Sequence, residues 1–202
     1  SLGAKVMQPA SIQEARINRI EIDVRSTFSK MSGTLITKKK NILSKDTIRG
    51  ISFTKNDAKL TLIGVKDKPG IAASIFKPLY ENSINVDMVV QNVSAGGRET
   101  DLTFTIKLED LKKTRKLVEN NKHIRFRKLI VNNNVSKVSI VGVGMVTTPG
   151  ITYRMFRALA KKKINIEVIS TSEIKISVLI DKKNLKKSVE ILHQEFKLSN
   201  SL

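Results

Sequence analysis

Cysteine is absent from this 202-residue sequence, which excludes a disulfide scaffold, a thiolate nucleophile and a thiolate metal site together. Histidine is nearly absent: His123 and His193 stand far apart, and no His/Glu spacing offers a metal site or a general base. No run approaches the roughly 18 consecutive apolar residues of a membrane-spanning helix, and the opening SLGAKVMQPA lacks the apolar stretch of a signal peptide. A cytoplasmic location with no membrane partner is the expectation. There is no GxxxxGK[ST] phosphate loop, and Gly142-Val143-Gly144 lacks the third glycine of a dinucleotide motif. Acidic residues are few, 18 Asp+Glu against 37 Lys+Arg, and the formal charge of +19 raises nucleic acid as a partner. The lysines fall in separated groups, Lys38 to Lys40, Lys112 with Lys113, Lys161 to Lys163, Lys182 with Lys183 and Lys186 with Lys187. Such groups at turns and helix surfaces read as a solvated surface, not a phosphate track.

What the sequence does contain is a repeat. LTLIGVKDKPGIAASIFKPLYENSINVDMVV and VSIVGVGMVTTPGITYRMFRALAKKKINIEVIS agree in residue type, order and spacing. From Ile71 against Ile151 the offset holds at 80, so that Phe76 meets Phe156, Leu79 meets Leu159, Asn85 meets Asn165 and Asp87 meets Glu167. Each copy reads as strand, helix, strand, strand, helix, with a further short strand at an end. Leu60 to Val65 and Val138 to Val143 are β-branched runs broken by a glycine, as in a buried strand whose end approaches another group closely. Ile71, Ile75, Phe76 and Leu79, like Ile151, Met155, Phe156 and Leu159, recur at helical spacing and give each helix one apolar stripe. Leu102, Phe104, Ile106 and Leu108 alternate with Thr103, Thr105 and Lys107, and Ile174, Ile176, Val178 and Ile180 alternate with Lys175 and Ser177, the pattern of half-buried strands. The economical packing is α+β, with helices on one face of antiparallel sheets. Pro78 is expected to kink or end the first helix, since it has no N–H and crowds the carbonyl of Ser74. Ile48 to Phe53 reads as a separate strand ahead of a turn at Lys55-Asn56-Asp57. Residues 1–46 match neither repeat: a helix over PASIQEARI, a strand over IEIDVRST, a turn at Ser32-Gly33 and a polar linker from Thr37 to Asp46. Residues 198–202 form a frayed tail.

The segments IGVKDKPGIAASIF, INVDMVVQNVS, KVSIVGVGMVTTPGI and INIEVISTSEIKISVLI resemble the paired ACT domains at the C-terminus of aspartate kinases. LGAKVMQPASIQEA followed by IDVRSTFSKMSGTLI is similar to the closing stretch of that family's kinase domain. The resemblance implies two ferredoxin-like βαββαβ ACT domains behind a short remnant of the amino-acid kinase domain. The boundaries it implies are 1–46 for the remnant and linker, 58–132 for the first ACT domain, and 47–57 with 133–197 for the second. It further implies a homodimer built through the ACT domains, with pockets at the seams, and the kinase domain of the same protein as partner. L-lysine and/or L-threonine would be the effectors. The parent protein would use ATP and Mg to phosphorylate aspartate in lysine, threonine and methionine biosynthesis. No catalytic residue, metal or cofactor is expected in these residues. A start at Ser-Leu inside a kinase-like element favours excision from a longer protein.

A free amino acid offers a carboxylate and an ammonium. The first suits unpaired N–H groups at a helix start, as after Pro69-Gly70 and Pro149-Gly150, and the second suits Asp67, Asp87 or Glu167. Carried over from the family, the effector residues are Asp67, Gly70, Ala72, Asn85, Val86, Asp87 and Gln91 in the first unit. Ile151, Thr152, Asn165, Ile166 and Ser172 are their counterparts in the second, which has two extra residues before Pro149 and no aspartate where the first has Asp67. Ser94, Thr100 and Thr103 match positions associated with feedback control near the seam. The alternative is a basic βαββαβ nucleic-acid-binding module, which would stack bases on aromatics of its central strands. Aromatics are only 4% of the chain, with Phe104 alone in DLTFTIKL and none in IKISVLID. Regulation would follow from differential binding, effector favouring one arrangement of the paired units that the kinase domain reads as less active.

Overall fold

The computed structural model describes residues 7–37, 47–93, 97, 99–142, 145 and 148–198. It divides into Ser1–Thr47 and Ile48–Leu202. In the first unit PASIQEARI forms helix α1 (Pro9–Ile17), and β1 (Ile22–Val24) pairs antiparallel with β2 (Thr34–Ile36), Ile22 opposite Ile36. Gly33 is needed at this return, because a Cβ there would lie 2.1 Å from the carbonyl oxygen of Val24. The unit leaves Ile17, Ile20, Phe28, Met31 and Leu35 exposed. The linker and the tail fall, from residue 38 to 46 and from 199 onward, outside the described residues.

The second unit is built as β3 (Gly50–Lys66), α2 (Ile71–Glu81), β4 (Val86–Val93), β5 (Glu99–Lys107), α3 (Leu111–Glu119), β6 (Lys128–Val141), α4 (Ile151–Lys161), β7 (Val168–Ser172), β8 (Lys175–Asp181) and α5 (Leu185–Glu195). Its six strands form one antiparallel sheet in the order β4-β5-β3-β6-β8-β7. Two helix-covered cores share that sheet. The later half of β3, the early half of β6, β4 and β5 bury Leu60, Leu62, Leu102 and Phe104 against Ile75 and Leu79 of α2 and Val118 of α3. The early half of β3, the later half of β6 and β8 bury Val138, Ile140, Val178 and Ile180 with Met155 and Leu159 of α4, Leu192 of α5 and Ile48. Gly50–Thr54 pair with Val141–Lys137, so the segment beside Ile48 completes the second group of strands.

Two local expectations are corrected. Lys55-Asn56-Asp57 is not a turn: β3 runs through it for 17 residues, and the polar trio is absorbed as register shifts between Thr54 and Lys59. β6 continues alongside on both sides of the break, and the Thr54 hydroxyl donates to the Asp57 carboxylate. Nor does Pro78 end its helix, which continues to Glu81. The hydrogen bond that Pro78 cannot give to the Ser74 carbonyl comes from the Asn121 side-chain amide, 3.1 Å away. The neighbouring Pro78 carbonyl accepts from the Asn82 amide at 2.9 Å.

Leu179 alternates with Val178 and Ile180 and so faces away from α4 and α5. On that side it joins Met88, Val135 and Val168 in a small third cluster, with Val90 packed beside it. The first βαββαβ group thus touches the second through strand faces as well as through the shared β3 and β6.

Candidate functional site

The turn Asp67-Lys68-Pro69-Gly70 leads from β3 into α2, and Gly70 stands at its end with φ of +87°, a left-handed conformation that a side chain would strain. No side chain caps this helix. Ile71 N–H donates to the Lys68 carbonyl and Ser74 N–H to that of Gly70. The intervening amides of Ala72 and Ala73 have no backbone acceptor among the described residues, as the first turn of a helix requires. Beside this turn lies an open hollow of about 420 Å³ bounded by Asp67, Lys68, Pro69, Gly70, Ile71, Ala72 and Gln91. Asp67, Gly70, Ala72 and Gln91 of the expected effector residues are therefore together. The hollow offers amide donors at one end of a helix and one carboxylate, the complement of an amino acid's two charged groups.

Asn85, Val86 and Asp87 are elsewhere, at the start of β4 and four to six residues before Gln91, so roughly 13–20 Å from it along an extended strand. Asn85 is exposed, and Val86 packs on the first core. The Asp87 carboxylate is ion-paired with Lys137. In the second group Gly150 repeats the left-handed entry, φ +89°, into α4. Ile151 is buried and Ile166 half-buried against the second core, so neither offers a free side chain, whereas Thr152 and Asn165 are exposed. The Ser172 hydroxyl donates to the Lys175 carbonyl at 3.3 Å. Residues 146–147, which lead to this turn, lie outside the described residues, as does Ser94. Thr100 is buried, its hydroxyl donating to the Asn92 carbonyl at 2.9 Å, and the Thr103 hydroxyl is 3.0 Å from that of Thr61.

Sequence reasoning missed the partners of the two repeat-related acids. Glu167 is held by Lys59 at 2.5 Å and by the Asn132 amide at 3.1 and 3.2 Å. Their sequence separation hid them, although the repeat itself relates Lys59 to Lys137. Phe104 is buried with its ring edge-on to Phe76, 5.4 Å between centroids, so it cannot stack a base. His123 and His193 are exposed, and no metal-binding cluster occurs among the described residues. No helix among the described residues is long and apolar enough to cross a membrane.

The ACT domain family model matches residues 60–121 and 138–196. The chain is 43% identical over 200 residues to the aspartate kinase of Pseudomonas putida, covering 98% of this chain and 48% of that protein. It spans about half the length of the curated relatives it matches. The ligand-free regulatory subunit of aspartate kinase from Thermus thermophilus superposes with a TM-score of 0.69 at 36% identity, covering 74% of this chain and 99% of that one. E. coli aspartokinase III in complex with lysine and aspartate shares the fold, with a TM-score of 0.74 at 22% identity over 95% of this chain and 42% of that one.

Proposed function

Since this chain belongs to the ACT-domain regulatory regions of the aspartate kinases, we propose that it is an amino-acid sensor, binding L-lysine and/or L-threonine to feedback-control an attached kinase. The observation that carries this reading is the hollow at the start of α2, where Asp67 and Gln91 flank the free amides of the helix's first turn. A carboxylate at the helix start gains from the helix dipole as well as from the amides, and the ammonium pairs with an aspartate. E. coli aspartokinase III, whose structure is in complex with lysine and aspartate, shares this fold.

The separation of Asn85 to Asp87 from Gln91 along β4 means that one chain does not bring all the expected residues onto one ligand. β4 is an edge strand of the sheet. A homodimer pairing two such edges antiparallel would set the beginning of one β4 beside the end of the other, completing the site at the seam. Ile17, Ile20, Phe28, Met31 and Leu35 of the first unit are exposed apolar side chains against which the kinase domain would seat. The whole protein would phosphorylate aspartate from ATP with Mg, in the cytoplasm, on the route to lysine, threonine and methionine. Effector would shift the paired units toward the arrangement that the kinase reads as inactive.

Calorimetric titration with L-lysine and L-threonine, singly and together, tests the reading, with D-lysine as control. Saturable, stereospecific heat is expected; heat from neither L-amino acid would overturn it.

A further inference from the structure

The internal repeat relates four charged residues that the structure brings together in pairs. Asp87 corresponds to Glu167, and Lys59, in the strand before Pro69, corresponds to Lys137. Lys59 of the first repeat pairs with Glu167 of the second, and Lys137 of the second pairs with Asp87 of the first. Each repeat thus gives one lysine and receives one, across the seam where Met88, Val135, Val168 and Leu179 are buried. The lysine side chains are only 18% and 15% exposed. An ammonium withdrawn this far from water needs its acidic partner, because loss of that partner leaves an uncompensated charge.

The two pairs are unequal. Glu167 is 20% exposed and also accepts from Asn132, whereas Asp87 is 45% exposed and directly follows Asn85 and Val86. The pair on Asp87 is therefore the one that an incoming ammonium can reach.

We propose that Lys137 is an internal competitor for the effector's ammonium, and that the crossed pairs couple the two ACT units. This rests on the sensing reading above. At the dimer seam described above, an amino acid held by the first turn of α2 in one copy brings its ammonium to the Asp87 carboxylate of the other copy and displaces that copy's Lys137, which cannot stay unpaired in the seam. β6 and the strands beside it must then shift, and the displacement in the first unit is felt at Lys59 and Glu167 in the second. Asp87 meets the ligand, whereas Lys137 and Lys59 are positioning residues. Coupling of this kind requires two arrangements with different ligand affinity, and exchange of one ammonium for another supplies the difference.

Two readouts on the whole chain test the proposal. Without ligand, amide hydrogen exchange is followed in wild type, Lys137→Met and Lys137→Arg. Lys137→Met should speed exchange roughly tenfold in β4 and also in β7, whose own pair is intact, while Lys137→Arg stays near wild type. Acceleration confined to β4 and β6 would overturn the coupling, whether or not any amino acid binds. With ligand, Lys137→Met should bind L-lysine or L-threonine several-fold more tightly than wild type, because Asp87 is freed, and ligand should no longer alter exchange in β7. Equal or weaker affinity would overturn the competition, since a purely structural lysine gives no gain. Wild type that binds neither amino acid but shows the linked exchange would sink the sensing reading and the competition with it, leaving the coupling standing.

Discussion

Replacing Asn121 by alanine removes the amide that donates to the Ser74 carbonyl in place of the missing Pro78 N–H. The carbonyl sits inside a packed helix, where an unsatisfied acceptor costs about 1–2 kcal/mol. The Asn121 side chain also accepts from the His123 N–H at 2.9 Å, in an exposed turn whose loss adds about 0.5 kcal/mol. The cost of Asn121→Ala with proline in place is thus about 2 kcal/mol. In a Pro78→Ala background the restored N–H lies four residues beyond Ser74 and takes the same carbonyl. There Asn121→Ala should cost only the exposed contact, giving a coupling of about 1–1.5 kcal/mol between two residues that do not bond to each other. Urea unfolding of the four chains, followed by far-ultraviolet circular dichroism, measures the cycle. An equal cost of Asn121→Ala with proline or alanine at position 78 would refute the substitution of one donor by the other.

The Ser139 and Ser177 hydroxyls are buried together 2.7 Å apart, so either alanine variant should destabilise the fold by about 1–2 kcal/mol, and the double variant by less than their sum, in the same unfolding assay. Gly64 has φ +66°, and a Cβ there would lie 2.2 Å from Arg127 Nε, so Gly64→Ala should cost about 1–2 kcal/mol and dislodge Arg127 from Glu99. The Lys183 backbone N–H, bonded to the Asp181 carboxylate, holds that carboxyl below its ordinary 3.8. Its contribution is present above that value and lost as pH falls through the lower folded one, so acid should lower the melting temperature of wild type more steeply than that of Asp181→Asn. Asp67→Asn should weaken amino-acid binding about tenfold in calorimetry without changing the unfolding midpoint.

The helices and most strands were legible because each is written locally. Ile71, Ile75 and Leu79 are buried on one face of α2, and Phe104 and Ile106 with Leu102 on one face of β5. The turn into α2 was legible for the same reason, since Pro69-Gly70 carries its geometry in two adjacent residues. What escaped notice is settled between distant segments. Nothing near Pro78 announces that Asn121 will supply its missing donor, and Lys55-Asn56-Asp57 reads as a turn until β6 is laid beside it. Asp87 and Glu167 read as open carboxylates because their lysines belong to the other repeat. Pairing of this kind depends on how the two halves of β3 and β6 set the repeats against each other, which local periodicity does not encode.

The central claim is that an amino acid binds at the first turn of α2. The most direct test is to record backbone amide resonances of the chain during titration with L-lysine and L-threonine. The account predicts saturable, stereospecific shifts at Gly70, Ile71 and Ala72 and at Gln91; shifts confined to residues remote from that turn, or none, would contradict it.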